Sequence, residues 1–380
     1  MSRQRIVLRN AIWNYLGMAV EFAVGMLVAP FLFKNLGDST YGLWIVIGSL
    51  TGYFGLLDVG VRGSVGRWIA FHRARQDSAA INATLNTALV MLSGVGLLVL
   101  CAVALLLPGF PDWFHVPAEQ VGEARLALLI VGVNLSLTFV LNTFDGVLWA
   151  FQRFDLLNMV DIPAALLRCA ASIWVVSQGH GLTALAGVTL LVTLCCGLAK
   201  AVLSFREEPE MQLGFARAGR TAARSLLGYG LWNFILSLAR ITRGQLVQIV
   251  IGAWLGLALV AVYAVAKRLI DHGERLFWTM TGVLTPVAAA LEAREQRAEQ
   301  QRLFLDGSRY CWSAALGLAA LFLFLGETLI GLWMGMSLTP AAVLLAILAV
   351  GDVLPMSQSL SGSLNQGMPP HSKLAWLGLA

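Results

Sequence analysis

LLGYGLWNFILSLARITRGQLVQIVIG, residues 226–252, is an apolar run of membrane length broken by polar side chains at regular intervals. At about 100° per residue, Asn233, Ser237, Arg240, Gly244 and Gln248 share an arc of about 80°, one polar stripe on one helix face, with Arg243 on its flank. A second stripe, Asn14, Met18, Glu21 and Gly25, lies 219 positions earlier in the first apolar run. Trp13-Asn14 matches Trp232-Asn233, and the mid-run charge is Glu21 in one copy and Arg240 in the other. A charge at mid-membrane costs about 2.5–3.5 kcal/mol on insertion scales, so these two faces are the first candidates for function.

The chain around them is apolar throughout. Its 380 residues are 58% hydrophobic and 12% charged, with a mean hydropathy of +0.75, where a soluble protein carries about 25% charged residues. Apolar runs fall at roughly 10–33, 41–62, 83–107, 124–147, 159–178, 182–203, 226–252, 258–285, 308–333 and 339–364, and another begins near Leu374. Each is long enough to cross about 30 Å of hydrocarbon. The alternating segments of about ten residues that a β-barrel needs are not the pattern here. The composition therefore predicts an all-α polytopic membrane protein.

The net charge of +5 is not a nucleic-acid signature, because the arginines sit between the apolar runs. One set of connections carries Arg3, Arg5 and Arg9, then Arg62, Arg67, Arg73 and Arg75, Arg153, Arg206, Arg217, Arg220 and Arg224, and Arg294, Arg297 and Arg302. The other set has little beyond Lys34 and Arg125. The positive-inside rule then predicts a cytoplasmic N-terminus and alternation at every span. The first run is too long for the apolar core of a signal peptide and is read as a transmembrane helix. Connections are short, which leaves no room for a soluble catalytic domain; Glu292 to Arg302 reads as a short, solvated cytoplasmic helix.

The repeat organises the chain. Trp13-Asn14-Tyr15 and Trp232-Asn233-Phe234 precede Leu36-Gly37 and Leu255-Gly256 by the same spacing. Both copies start from the same side, so the repeat is parallel, about an axis along the membrane normal. The expected layout is an N-terminal lobe of six helices over 1–204, a cytoplasmic linker over 205–225, and a C-terminal lobe over 226–380. The second lobe then holds four complete helices and the start of another. Symmetry puts the end of its sixth span near residue 425, about 45 residues beyond this sequence.

Charges concentrate in the eighth run: Lys267, Arg268, Asp271, Glu274 and Arg275. Lys267–Asp271 and Asp271–Arg275 have the i,i+4 spacing that allows pairing along a helix, and the same face can line a watery cavity. Asn134, Thr138, Asn142 and Asp145 form a weaker stripe, read as interhelical hydrogen-bonding glue. Asp58, Arg62, Asp161, Arg168 and Asp352 are assigned no role; those near span ends can snorkel to the interface. Gly63-Ser64-Val65-Gly66-Arg67 lacks the spacing and the Lys of a phosphate-binding loop. The five cysteines form no C-x-x-C pair, and the histidines are scattered. No metal or cofactor is expected, and the chain reads as a transporter rather than an enzyme.

The order and spacing of several short motifs resemble one family. Arg9-Asn10, Leu36-Gly37-Asp38-Ser39-Thr40-Tyr41-Gly42-Leu43-Trp44, Gly52-Tyr53, Leu57-Asp58-Val59-Gly60, Arg67, Ala70, Ile81-Asn82 and Thr87 are similar to the opening of Wzx-type polysaccharide flippases. These belong to the multidrug/oligosaccharidyl-lipid/polysaccharide exporter superfamily. The resemblance implies two lobes of about six helices around a central cavity. It also implies a polyprenyl-pyrophosphate-linked oligosaccharide substrate turned across the bacterial cytoplasmic membrane. Arg240, Arg243, Lys267 and Arg268 are then candidates for the pyrophosphate, since Arg offers bidentate geometry to phosphate. Asn14 and Asn233 would join them in the cavity. Glu21, Asp271 and Glu274 are the candidates for H+ or Na+ coupling, and polysaccharide polymerase or assembly proteins are the implied partners. The competing readings are a drug or metabolite antiporter of the same superfamily and, from another class, a membrane-embedded glycan polymerase or acyltransferase.

Overall fold

Leu36-Gly37 and Leu255-Gly256, the paired landmarks of the repeat, do the same physical work in the computed structural model. Gly37 and Gly256 have φ of +77° and +98°, and their N–H groups donate to Phe33 O and Ile251 O, each at 3.0 Å. A left-handed residue after the last turn ends a helix while satisfying one of its free carbonyls, and glycine does this without a Cβ penalty. The structure describes residues 3–54, 61–214, 217–282 and 296–361; the side chains of 3–11, 14, 53–54, 61–63, 228–244 and 282 fall outside that description.

The described elements are helical. They are α1 (Arg3–Leu36), α2 (Asp38–Phe54), α3 (Val61–Ala74), α4 (Ser78–Leu106), the single turn α5 (Phe110–Trp113), α6 (Val121–Ala150), α7 (Phe154–Ser177), α8 (Leu182–Glu207), α9 (Arg220–Trp254), α10 (Leu257–Gly282), α11 (Arg297–Met334) and α12 (Ala341–Ser357). Seven helices among the described residues are long and apolar enough to cross a membrane. With all backbone bonds satisfied inside each segment, this is a multi-pass helical membrane protein. The other three expected spans behave differently for local reasons. α2 has 17 residues, α10 carries the five charges noted above, and the middle of α9 lies among the side chains outside the description.

Two boundaries differ from expectation. The second apolar run is covered by α2 from Asp38 to Phe54, and the arginine-rich stretch from Val61 is helical, as α3, where a connection is expected; positions 55–60 lie outside the described residues. From Arg297 the expected short cytoplasmic helix is the start of α11, continuous with the next span; positions 292–295 lie outside the described residues.

Two compact units result, the first running to Leu257 and the second starting at Ala258. In the first, α6 is the central element, packed on α3, α4 and α8, while α1 lies on α7 and α9 lies on α2 and α3. In the second, α11 packs along α12, and α10 meets Leu318 of α11 and Met356 of α12 at Gly273. Large apolar side chains such as Leu105, Trp174, Phe324 and Leu332 are exposed. In a bilayer these surfaces are met by lipid tails and need no partner.

The connection from α8 to α9 is fastened to α4 by side-chain amides. Asn82 Nδ2 donates to Glu210 O (2.9 Å), and its Oδ1 accepts from Gln212 N (2.7 Å). One turn on, Asn86 Nδ2 donates to Gln212 O and its Oδ1 accepts from Gly214 N, both at 2.8 Å. Each amide thus takes the C=O of one residue and the N–H of the residue two further on, the pairing of a parallel β-ladder made by a helix. Thr87 Oγ1 accepts from Gly219 N at 3.0 Å, and Ser78 bonds to Glu210. The N-cap of α4 sits at the same end, where Asp77 accepts from Ala80 N at 2.9 Å.

Asn86 is 4% exposed, so removing its amide leaves two backbone groups of the connection without partners. Asn86→Ala is therefore expected to cost about 1–3 kcal/mol. Limited proteolysis should show faster cleavage between residues 208 and 219 in the variant.

Candidate functional site

Three charged side chains of the first unit meet near one end of α6, α7 and α8. Asp145 lies five residues before the end of α6, Asp161 seven residues into α7, and Lys200 seven before the end of α8. Because successive spans alternate in direction, these positions share one depth, about 8–11 Å inside the helix ends at 1.5 Å per residue. Lys200 Nζ reaches Asp145 Oδ1 at 3.0 Å and Asp161 Oδ1 at 2.8 Å. The lysine is 6% exposed, yet it has a carboxylate on each of two neighbouring helices.

The approach of α6 and α8 that allows this bridge rests on small residues. A Cβ at Gly197 would run into the side chain of Leu141, and Ser204 Oγ donates to Lys200 O at 2.8 Å. A second ion cluster caps the same end. Arg153, between α6 and α7, pairs with Asp155 at 3.1 Å and with Glu207 at the end of α8. Burial alone would lower the Arg153 pKa; the hydrogen bond and charge of Asp155, with the charge of Glu207, outweigh it and hold the guanidinium above its usual value.

Asp161 also opens onto a cavity of about 310 Å³ between α1 and α7, lined by Gly17, Met18, Glu21, Asn158, Asp161, Ile162 and Ala165. At about 30 Å³ per water, that volume holds on the order of ten waters. Gly17 lets α1 approach Asn158, whose amide would have to move aside for a Cβ at that position. Glu21 and Asp161 therefore face one polar space from two helices, with Lys200 behind Asp161.

In the second unit, Lys267 and Asp271 pair one turn apart on α10, as their spacing predicts; Lys267 is the more buried partner at 13% side-chain exposure against 47%. Glu274 and Asp352 of α12 lie close enough to act electrostatically on Lys267. Arg268 and Glu274 also have partners of their own.

The sequence-derived candidates thus separate. Glu21 lines the α1–α7 cavity, and Lys267, Arg268, Asp271 and Glu274 share α10. Asn14, Asn233, Arg240 and Arg243 lie in helical backbone, but their side chains are outside the described residues. Of the opening stripe, Gln248 is described, and its Oε1 accepts from Ser49 of α2. Asp145, read from sequence as part of a hydrogen-bonding stripe, is an ion-pair residue, while Thr138 bonds within its own helix to Asn134 O at 2.7 Å. Lys200 escaped the sequence reading because it sits near the end of an apolar run, where snorkelling is the ordinary explanation. The depth shared with Asp145 and Asp161 was the signal available.

A family model described as "Polysaccharide biosynthesis protein" matches residues 71–343. A Shigella flexneri protein named as an O-antigen transporter is 24% identical over 154 residues, 40% of this chain and 36% of the relative. A Haloferax volcanii protein named as the flippase AglR is 20% identical over 308 residues, 81% of this chain and 60% of the relative. The chain thus spans about a third and three fifths of these two curated relatives. Among solved structures, the inward-facing form of a multidrug resistance transporter of the MATE family, within the MOP superfamily, superposes with a TM-score of 0.77 at 17% identity, covering 96% of this chain and 83% of the other. At that identity the likeness establishes the fold.

The two aspartates of the bridge should not be equivalent. Asp145 is 16% exposed and Asp161 46%. Asp145→Ala is expected to cost about 3 kcal/mol, the low end for breaking a buried ion pair, because Lys200 keeps Asp161. Asp161→Ala, at the wetter site, should cost roughly 1 kcal/mol. Thermal unfolding of the purified variants orders them.

Proposed function

We propose a function from the premise that the chain belongs to the polysaccharide biosynthesis protein family, the group that the Wzx-type resemblance of its first 90 residues indicates. The protein moves a polyprenyl-pyrophosphate-linked oligosaccharide across the bacterial cytoplasmic membrane by alternating access. Its N-terminus is cytoplasmic, and the moving parts are the lobes 1–204 and 226–380 joined by the segment 205–225. The observation that carries this reading is the placement of the ionic pair Lys267–Asp271, with Lys267 largely buried, inside a membrane-length helix of a family member. Such charges are expensive to insert and mark a polar path.

The chemistry sorts the residues into roles. The pyrophosphate needs cationic donors, and Arg240, Arg243, Lys267 and Arg268 supply them. Asn14 and Asn233 hydrogen-bond the sugar head group, while the prenyl tail stays in lipid. Lys267 is already held by Asp271. A pyrophosphate that takes Lys267 releases Asp271, and the freed carboxylate, with Glu274, accepts the coupling H+ or Na+. Glu21 acts in the same way in the first unit, where it faces an open polar cavity. Proteins that polymerise or assemble the glycan are the partners on the far side.

A second reading, an ion-coupled drug or metabolite antiporter, is favoured by the fold shared with a multidrug transporter. It calls for a resistance phenotype in place of a missing surface glycan.

Arg240→Ala is expected to lower glycan export at least about tenfold, the loss of a charge-assisted hydrogen bond of about 1.5–3 kcal/mol, with membrane insertion unchanged. Glu21→Gln should slow export while leaving substrate binding intact. Complementation of a flippase-null strain, scored by surface glycan and by drug resistance in parallel, separates the two readings. Full complementation by Arg240→Ala would sink the assignment of that residue.

A further inference from the structure

Lys200 poses a question that substrate transport does not answer. A lysine that is 6% exposed has left water to join two aspartates on two other helices. Replacing such a buried ion pair by apolar residues is often neutral or stabilising, so stability alone is a weak reason to keep it. The surroundings are those of a cation site. Oxygen donors converge from Asp145 on α6 and Asp161 on α7, and Asp161 opens onto a polar cavity shared with Glu21 of α1 and Asn158 of α7. Hard oxygen ligands of this kind suit an alkali cation. Arg168 of α7 and Cys195 and Cys196 of α8 also act electrostatically here.

We infer that Lys200 is a tethered counter-cation: its ammonium stands between α6, α7 and α8 where a mobile monovalent cation would otherwise be needed. Two carboxylates and one ammonium leave the bridge with one net negative charge, and Glu21 adds a second across the cavity. The lysine brings a charge of the right sign and three donors. Unlike Na+, it cannot leave. The first unit therefore holds its helices α6, α7 and α8 together at any sodium concentration, and a mobile cation is free to act elsewhere. This role is independent of what the protein transports.

The test reads cation binding through stability and needs no transport assay. The full chain, in lipid nanodiscs at fixed pH, is melted as NaCl replaces choline chloride at constant ionic strength. The unsubstituted protein sets the baseline, which includes any Na+ held at the coupling carboxylates. Lys200→Met should melt lower and regain about 5 °C as Na+ saturates the vacated position. Because that variant leaves two carboxylates unmatched, the double variant Asp145→Asn with Lys200→Met, which keeps one net negative charge, provides a second route to the same Na+ response. Recovery of either variant as folded protein only when membranes are solubilised in NaCl counts equally in favour. Na+ shifts in the variants no larger than that of the unsubstituted protein would overturn the inference. So would two variants that melt identically in both salts, or that stay unfolded in each.

Discussion

The cost of taking a charge out of water governs this structure. Inside the membrane-length helices, the ionic groups for which partners are seen are met at short range: Lys200 by Asp145 and Asp161, Lys267 by Asp271. The partner chosen reflects what each helix has beside it. α10 pairs within itself, at i,i+4, and so neutralises its charge without a neighbour. Lys200 has no acid one turn away on α8 and must draw on α6 and α7, which makes its bridge a tie between three helices. Small residues at the α6–α8 contact let the backbones come close enough for a lysine stem to span the gap.

The same constraint shapes the ends of the helices. Arg153 joins the loop between α6 and α7 to the end of α8, closing the bundle above the buried bridge. Between α8 and α9 the chain leaves helical geometry, so its backbone groups lose their intrahelical partners. Asn82, Asn86 and Thr87 of α4 supply replacements. A polar residue on a membrane helix is usually read as a sign of substrate or ion. Here, three of them are structural because the peptide groups beside them need them.

Much of the architecture was legible in the sequence. Apolar length located the helices, and the repeated Leu-Gly pairs marked two helix ends that share one left-handed closure at Gly37 and Gly256. The i,i+4 spacing gave Lys267–Asp271 because both residues ride on one helix and their geometry is fixed by it. Lys200–Asp145–Asp161 was not readable in this way. Its members are far apart in the chain, 55 residues from Asp145 to Lys200, and which helices touch is decided by packing. The motif residues Ile81-Asn82 and Thr87 were visible as part of a family resemblance, but their reason was not. A carbonyl or an N–H in a connection leaves no trace in a string of side-chain letters. The opening stripe shows the same limit: Gln248 shares the face of Arg240 on a helical wheel, yet it is spent on Ser49 of α2.

The amide ladder on α4 also bears on how this chain can change length. Two anchoring points one helical turn apart are about 6.0 Å from each other, and two residues of extended chain advance about 6.6 Å. The match works only for an even step. One residue inserted between Glu210 and Gly214 would turn the wrong peptide edge toward Asn86, whereas two would form a small loop and restore the register. Among the described residues past Gly214, the next fastening to α4 is Gly219, bonded to Thr87, and no such parity applies. Insertions and deletions should therefore accumulate after Gly214, and those before it should come in pairs. A stretch that looks like spacer is, for five residues, under a counting rule set by the helix beside it.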